Sequence, residues 1–152
     1  MTTTAAGPGS GEESSPSLPI GLRATVRAVV TEADTAQAMG SGDVPVLATP
    51  RFLALAEAAA VAAVGPQLRD GLTTVGTAAA LEHRRASPVG AEIIVEAELT
   101  DVDGLRLHFS FIARAVPVEE DVVIGAGTVE RVVLDRAKFI ARVSGSGSAP
   151  KP

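Results

Sequence analysis

The alternation of apolar and polar positions divides the chain into short strands around one long apolar run. Leu22, Ala24, Val26 and Ala28 alternate with Arg23, Thr25 and Arg27, the period-two pattern of a half-buried strand. Residues 31–48 lose this pattern and contain Gly40, Gly42 and Pro45, so a loop with a short helical turn is expected. Thr49-Pro50 then opens the segment RFLALAEAAAVAAV, rich in Leu and Ala and free of Gly and Pro. Proline is tolerated in a first helical turn because its missing N–H has no intrahelical partner there, and a threonine hydroxyl can cap the free amides. A helix capped by Thr49 is therefore expected to about Val64, where Gly65-Pro66 stops it. Being apolar nearly all round, it reads as a buried central helix.

Beyond Asp70-Gly71 the period of two returns. Residues 72–83 are strand-like. Ala91, Ile93, Val95, Ala97 and Leu99 alternate with Glu92, Glu96 and Glu98, and Leu105, Leu107, Phe109, Phe111 and Ala113 alternate with Arg106, His108 and Ser110. A turn over residues 101–104 should join these two runs as an antiparallel hairpin. Residues 122–134 form a further strand, with Gly125 and Gly127 marking a bend or close approach, and residues 135–143 a short terminal helix capped by Asp135. One long helix and about five antiparallel strands make an α+β layer, with the helix covering one sheet face.

Composition narrows the chemistry. The 152 residues suit one domain; hydrophobic residues make up 46% but aromatic ones only 3%, so the core is aliphatic. Stacking platforms for single-stranded nucleic acid are thereby disfavoured, and the net charge of −5 points away from nucleic acid or an anionic membrane as partner. Cysteine is absent, which removes disulfides, thiolate catalysis and cysteine metal sites. Residues 1–18 and 144–152 read as flexible tails of small and polar residues, leaving a folded unit over 19–143. The first nineteen residues have no Lys, no Arg and no apolar stretch, so no secretory signal is read there. The apolar window 52–64, interrupted by Glu57, is too short to span a bilayer.

A few polar residues stand out. Glu57 shares a helical side with Leu53 and Val61, where a carboxylate must reach water, find donors or be neutralised. It is either a structural group at a partly open face or a site carboxylate. His83 ends a strand-like run before Arg84 and Arg85, with a structural and a functional reading both open, whereas His108 falls on the polar phase of its strand. Gly76 is either a bulge or a gap through which a ligand approaches the backbone. No phosphate loop, dinucleotide-binding glycine motif, serine elbow or zinc motif is present, and no metal is expected.

Thr49-Pro50, Glu57, Gly76, His83, Ser87-Pro88-Val89-Gly90 and the run Gly125-Ala126-Gly127-Thr128-Val129-Glu130-Arg131 occur in an order and spacing that resembles the fluoroacetyl-CoA-specific thioesterase-like family, a branch of the hotdog-fold acyl-CoA thioesterases. The likeness covers about residues 20–142. It implies a long helix wrapped by a curved antiparallel sheet, a homodimer with sites near the interface, and hydrolysis of a small acyl thioester with CoA as part of the substrate and no other cofactor; the cytoplasmic location is expected from the lack of a secretory signal or membrane span. It also implies Thr49, Glu57 and His83 as the catalytic group, Gly76 beside the thioester, and Arg131 at the CoA end. Arg84 and Arg85 are further candidates for the phosphates of CoA. Two departures stand out: residues 42–47 lack the phenylalanines that form a lid in the specialised enzyme, and Val129 replaces the usual histidine of the last strand. The alternative is a non-catalytic hotdog protein that binds an acyl-CoA or similar ligand.

Overall fold

A computed structural model of the chain describes residues 18–145. The tails expected from composition lie outside the described residues, apart from Leu18, Ser144 and Gly145; Leu18 is buried against the core. Strands β1 (Arg23–Val29), β2 (Leu72–His83), β3 (Glu92–Asp103), β4 (Arg106–Ala115) and β5 (Val123–Asp135) form one antiparallel sheet in the order β1-β3-β4-β5-β2. Helix α1 (Ala36–Met39) is a single turn, α2 (Thr49–Val64) crosses the concave face, and α3 (Arg136–Val143) closes the domain. This is the hotdog architecture.

Side-chain alternation explains how the sheet receives α2. Ile93, Val95, Ala97 and Leu99 on β3 and Leu107, Phe109, Phe111 and Ala113 on β4 all point inward and are buried. Phe52, Leu55, Ala56, Ala59, Ala60, Ala63 and Val64 meet them from the helix. The alanines let helix and sheet approach closely, and Phe52 and Phe111 fill the wider end edge to face, 5.7 Å apart. Gly125 and Gly127 are needed for this contact. A methyl group on Gly127 would collide with the main-chain oxygen of Ala80 and lie 2.7 Å from the Phe111 ring.

Three expectations need correction. The helix is not buried all round: Ala54, Ala58, Val61 and Ala62 form an exposed apolar stripe, with Val61 44% exposed. A single sheet covers only one side of a helix, and among the described residues no segment covers the other. The β3–β4 turn is only Gly104-Leu105, because both strands run further than their pattern suggested; Gly104 takes φ +62, which glycine adopts without strain. Leu105 consequently leaves the inward phase and is exposed. Thr49 does not cap α2. The cap position is Ala48, with no side-chain capping bond, and Thr49 already lies within the helix. Asp135 does cap α3, accepting from the Lys138 amide at 3.0 Å.

Replacing Gly127 with Ala is expected to lower unfolding stability by about 3 kcal/mol, because the added carbon meets main chain that cannot yield. Urea denaturation with an unchanged slope would register this as a shift in midpoint.

Candidate active site

Two polar clusters lie along α2, and different strand positions face each. The first is at the helix start. Thr49 Oγ1 lies 2.9 Å from His83 Nδ1, at the end of β2. Phe52 is fully buried and packs edge-on against the His83 ring at 5.2 Å, screening it from water. Burial holds the imidazole below its ordinary pKa of 6.5, with a weaker opposing effect from the Arg85 main chain, so the ring is neutral at pH 7. The loop before α2 is fixed by Asp34: its carbonyl accepts from the Ala48 amide at 2.9 Å and its carboxylate from Arg51 Nε at 2.9 Å. Hydrogen bonds to Thr31 hold the Asp34 carboxyl below the usual carboxylate range.

The second cluster centres on Glu57, eight residues and about 12 Å further along the helix axis. Its Oε2 accepts from Arg131 Nη1 at 2.8 Å. Arg131 is buried in turn, donating from Nε to Thr74 Oγ1 and from Nη2 to the Thr74 carbonyl, each at 2.9 Å. Desolvation pulls the guanidinium down from its usual range and Glu57 opposes this, leaving it charged at every working pH. Gly76 lies beneath the carboxylate: a Cβ there would come within 2.5 Å of Glu57 Oε2. The register of β2 against β5 shifts directly after Gly76, and the bulged Thr77 donates to Glu130 Oε2 at 2.6 Å. Gly76 is thus next to a bulge, and its missing side chain makes room for Glu57.

The sequence-derived candidates therefore divide. Thr49 and His83 meet; Glu57, Gly76 and Arg131 meet; no hydrogen bond among the described residues joins Glu57 to His83. Arg131, expected at the CoA end, is turned inward with each guanidinium nitrogen bonded inside the chain. Arg84 is exposed and paired with Glu82 at 2.7 Å, and Arg85 is exposed. Thr74 and Phe52 were not singled out beforehand. A threonine or phenylalanine in an apolar pattern carries no mark of its polar or aromatic neighbour across the fold. Among the described residues no group of three or more His, Asp or Glu is placed to hold a metal ion, and no helix is long and apolar enough to cross a membrane.

Residues 30–137 match the sequence family described as fluoroacetyl-CoA-specific thioesterase. The chain belongs to that family. Over 98 residues it is 41% identical to the fluoroacetyl-CoA thioesterase of Streptantibioticus cattleyicolor, covering 64% of this chain and 68% of that protein. The structure of a fluoroacetyl-CoA thioesterase variant in complex with acetyl-CoA matches with a TM-score of 0.77 at 32% identity, covering 86% of this chain and 99% of the other. A thioesterase superfamily member from Thermus thermophilus matches with a TM-score of 0.74 at 28% identity, covering 83% and 90%. As a member of the fluoroacetyl-CoA-specific thioesterase family, the chain is an enzyme of the thioesterase type.

The depressed His83 pKa carries a stability consequence. A histidine kept neutral in the fold binds its proton more readily when unfolded, so its contribution is present above about pH 6.5 and is lost as pH falls through the lower folded value. Between pH 7.5 and 5 the melting temperature should therefore drop more in the wild type than in His83→Gln, as measured by scanning calorimetry. Parallel pH curves for the two proteins would contradict this.

Proposed function

We propose that the protein hydrolyses a small acyl-CoA thioester, working in the cytoplasm as a homodimer whose sites are completed across the two-fold axis. The observation that carries this reading is the 2.9 Å contact between Thr49 Oγ1 and His83 Nδ1 at an uncapped helix N-terminus. The Thr49 hydroxyl donates to Nδ1, and as its proton passes to the imidazole Oγ1 attacks the thioester carbonyl carbon. The amides of Thr49 and Arg51 are free of side-chain caps and stabilise the tetrahedral oxyanion; Pro50 supplies none. Collapse expels CoA as its thiol, the proton coming from His83, and water then cleaves the acyl-threonine with His83 as base. The products are CoA and the carboxylic acid.

Glu57 completes this site from the partner subunit. β2 is an edge strand whose outer edge has no partner among the described residues, and residues 76–80, Gly-Thr-Ala-Ala-Ala, are exposed there. The midpoint between Gly76 and His83 falls between Ala79 and Ala80. Antiparallel pairing of two copies of β2 about that point sets Gly76, with Glu57 above it, opposite His83 of the partner subunit. The same pairing covers the exposed stripe of Ala54, Ala58, Val61 and Ala62 and removes an otherwise adhesive strand edge. Arg131 then acts by holding Glu57, while the exposed Arg84 and Arg85 remain the candidates for the phosphates of CoA. Without aromatic residues in the 42–47 segment, the acyl pocket selects for small size and not for fluorine.

On a panel of short-chain acyl-CoA substrates, Glu57→Gln and His83→Ala should each lower kcat/KM by about 100-fold or more. An acyl group trapped on Thr49 would identify the covalent route. Failure of the wild type both to hydrolyse any thioester and to bind CoA would overturn the reading. Val61→Glu should sediment as an inactive monomer. Co-expressed Glu57→Gln and His83→Ala chains should regain activity in mixed dimers, since one of the two sites then holds both wild-type groups; no recovery would place each site within one chain. Gly76→Ala should displace the Glu57 carboxylate, reducing kcat by about tenfold with little change in melting temperature.

A further inference from the structure

Among the described residues, two buried side-chain polar atoms have no hydrogen-bond partner in the chain: His83 Nε2 and Ser87 Oγ. Such groups are rare in folded proteins, and each calls for a physical reason. These two belong to one corner of the fold. The Arg84 and Arg85 amides both donate to the Ile124 carbonyl, at 2.9 and 3.1 Å, so the chain turns tightly just after His83. The Ser87 carbonyl then accepts from the Leu47 amide at 2.8 Å. His83 is in contact with Thr49. Both orphaned residues are therefore anchored on the three-residue stretch 47–49, whose ends lie no more than about 7 Å apart. Ser87 itself is 2% exposed, so its hydroxyl has no recourse to bulk solvent.

The proposed reaction requires the hydrogen of the Thr49–His83 contact to be on Oγ1, and this depends on the tautomer, because a neutral imidazole has one donor and one acceptor nitrogen. If Nε2 carries the ring hydrogen, Nδ1 accepts from Thr49 and can act as a base. If Nδ1 carries it, Thr49 accepts and is not activated. What Nε2 meets decides between the two.

We propose that Ser87 is the positioning residue that sets this tautomer, its hydroxyl receiving the His83 Nε2–H through one internal water. Buried polar atoms without a protein partner are the groups that internal waters satisfy. The Arg85 main chain also lies beside the ring, where it favours the protonated imidazole. The bridge keeps the ring's single proton on the side away from Thr49. This inference rests on the proposed hydrolysis for its consequence in catalysis, but not for its structural content.

The test separates the two. The protein has two histidines, His83 and His108, so a His108→Asn variant leaves a single imidazole whose nitrogen-15 shifts report its tautomer. At pH 8 the wild-type ring should be the Nε2–H form. In Ser87→Ala the two tautomers should mix, kcat on the best short-chain acyl-CoA should fall about tenfold, and KM should stay unchanged. Ser87→Thr, which keeps the hydroxyl, should restore the tautomer. The melting temperature of Ser87→Ala should stay well above the assay temperature, so that a loss of kcat is not assigned to unfolding. An unchanged tautomer in Ser87→Ala would overturn the proposal, leaving the main chain alone to orient the ring. A tautomer that shifts in a protein with no thioesterase activity would uphold the role of Ser87 and remove only the hydrolytic reading.

Discussion

Phe52 sits in the space that Gly125 leaves on β5, and much of the molecule is arranged around that contact. A side chain on Gly125 would lie 2.6 Å from the Phe52 ring and collide with the main chain of Glu82. Without one, the ring drops onto the sheet and packs edge to face with His83. That seating fixes the start of α2 in both position and rotation, because a fully buried aromatic side chain has few rotamers to trade. Thr49, three residues earlier and nearly one turn back, is thereby delivered to His83. The same ring keeps water from the imidazole and holds it neutral, the state in which it can accept a proton.

At the other cluster the governing term is electrostatic. A buried guanidinium is costly unless its donors are satisfied and its charge is met. Thr74 satisfies two nitrogens of Arg131, and Glu57 meets the charge from an exposed helix face. The carboxylate is more than a third open to solvent, so the pair is better regarded as an aiming device than as a source of stability. It holds the carboxylate over Gly76, at the edge of the sheet. The bulge at Thr77, tied to Glu130, keeps β2 in the register that places Gly76 there.

The five strands, the helix and the Asp135 cap were legible in the sequence because each follows from a local period or a local hydrogen bond. Residue types at Thr49, Glu57, Gly76 and His83 marked where chemistry could reside. Their grouping was not legible. Thr49 had a sufficient local explanation as a cap, and only the fold shows its hydroxyl turned to a histidine 34 residues away. Arg131, expected at the CoA end, is instead turned inward to Glu57 and Thr74, since strand phase alone does not say which side of a curved sheet holds the helix. Likewise, an apolar helix reads as buried on every side from its composition, whereas one sheet can cover only one of those sides.

The sequence by itself therefore determined the elements, the aliphatic core and the short list of groups able to do chemistry, because periodicity and residue type act within a few positions of the chain. The tertiary structure decided which of those groups touch: histidine with threonine, carboxylate with arginine, and neither pair with the other. Those contacts depend on where β2 crosses α2 and where a bulge shifts its register. Such distances are set by packing between elements far apart in the chain, and no local pattern carries them.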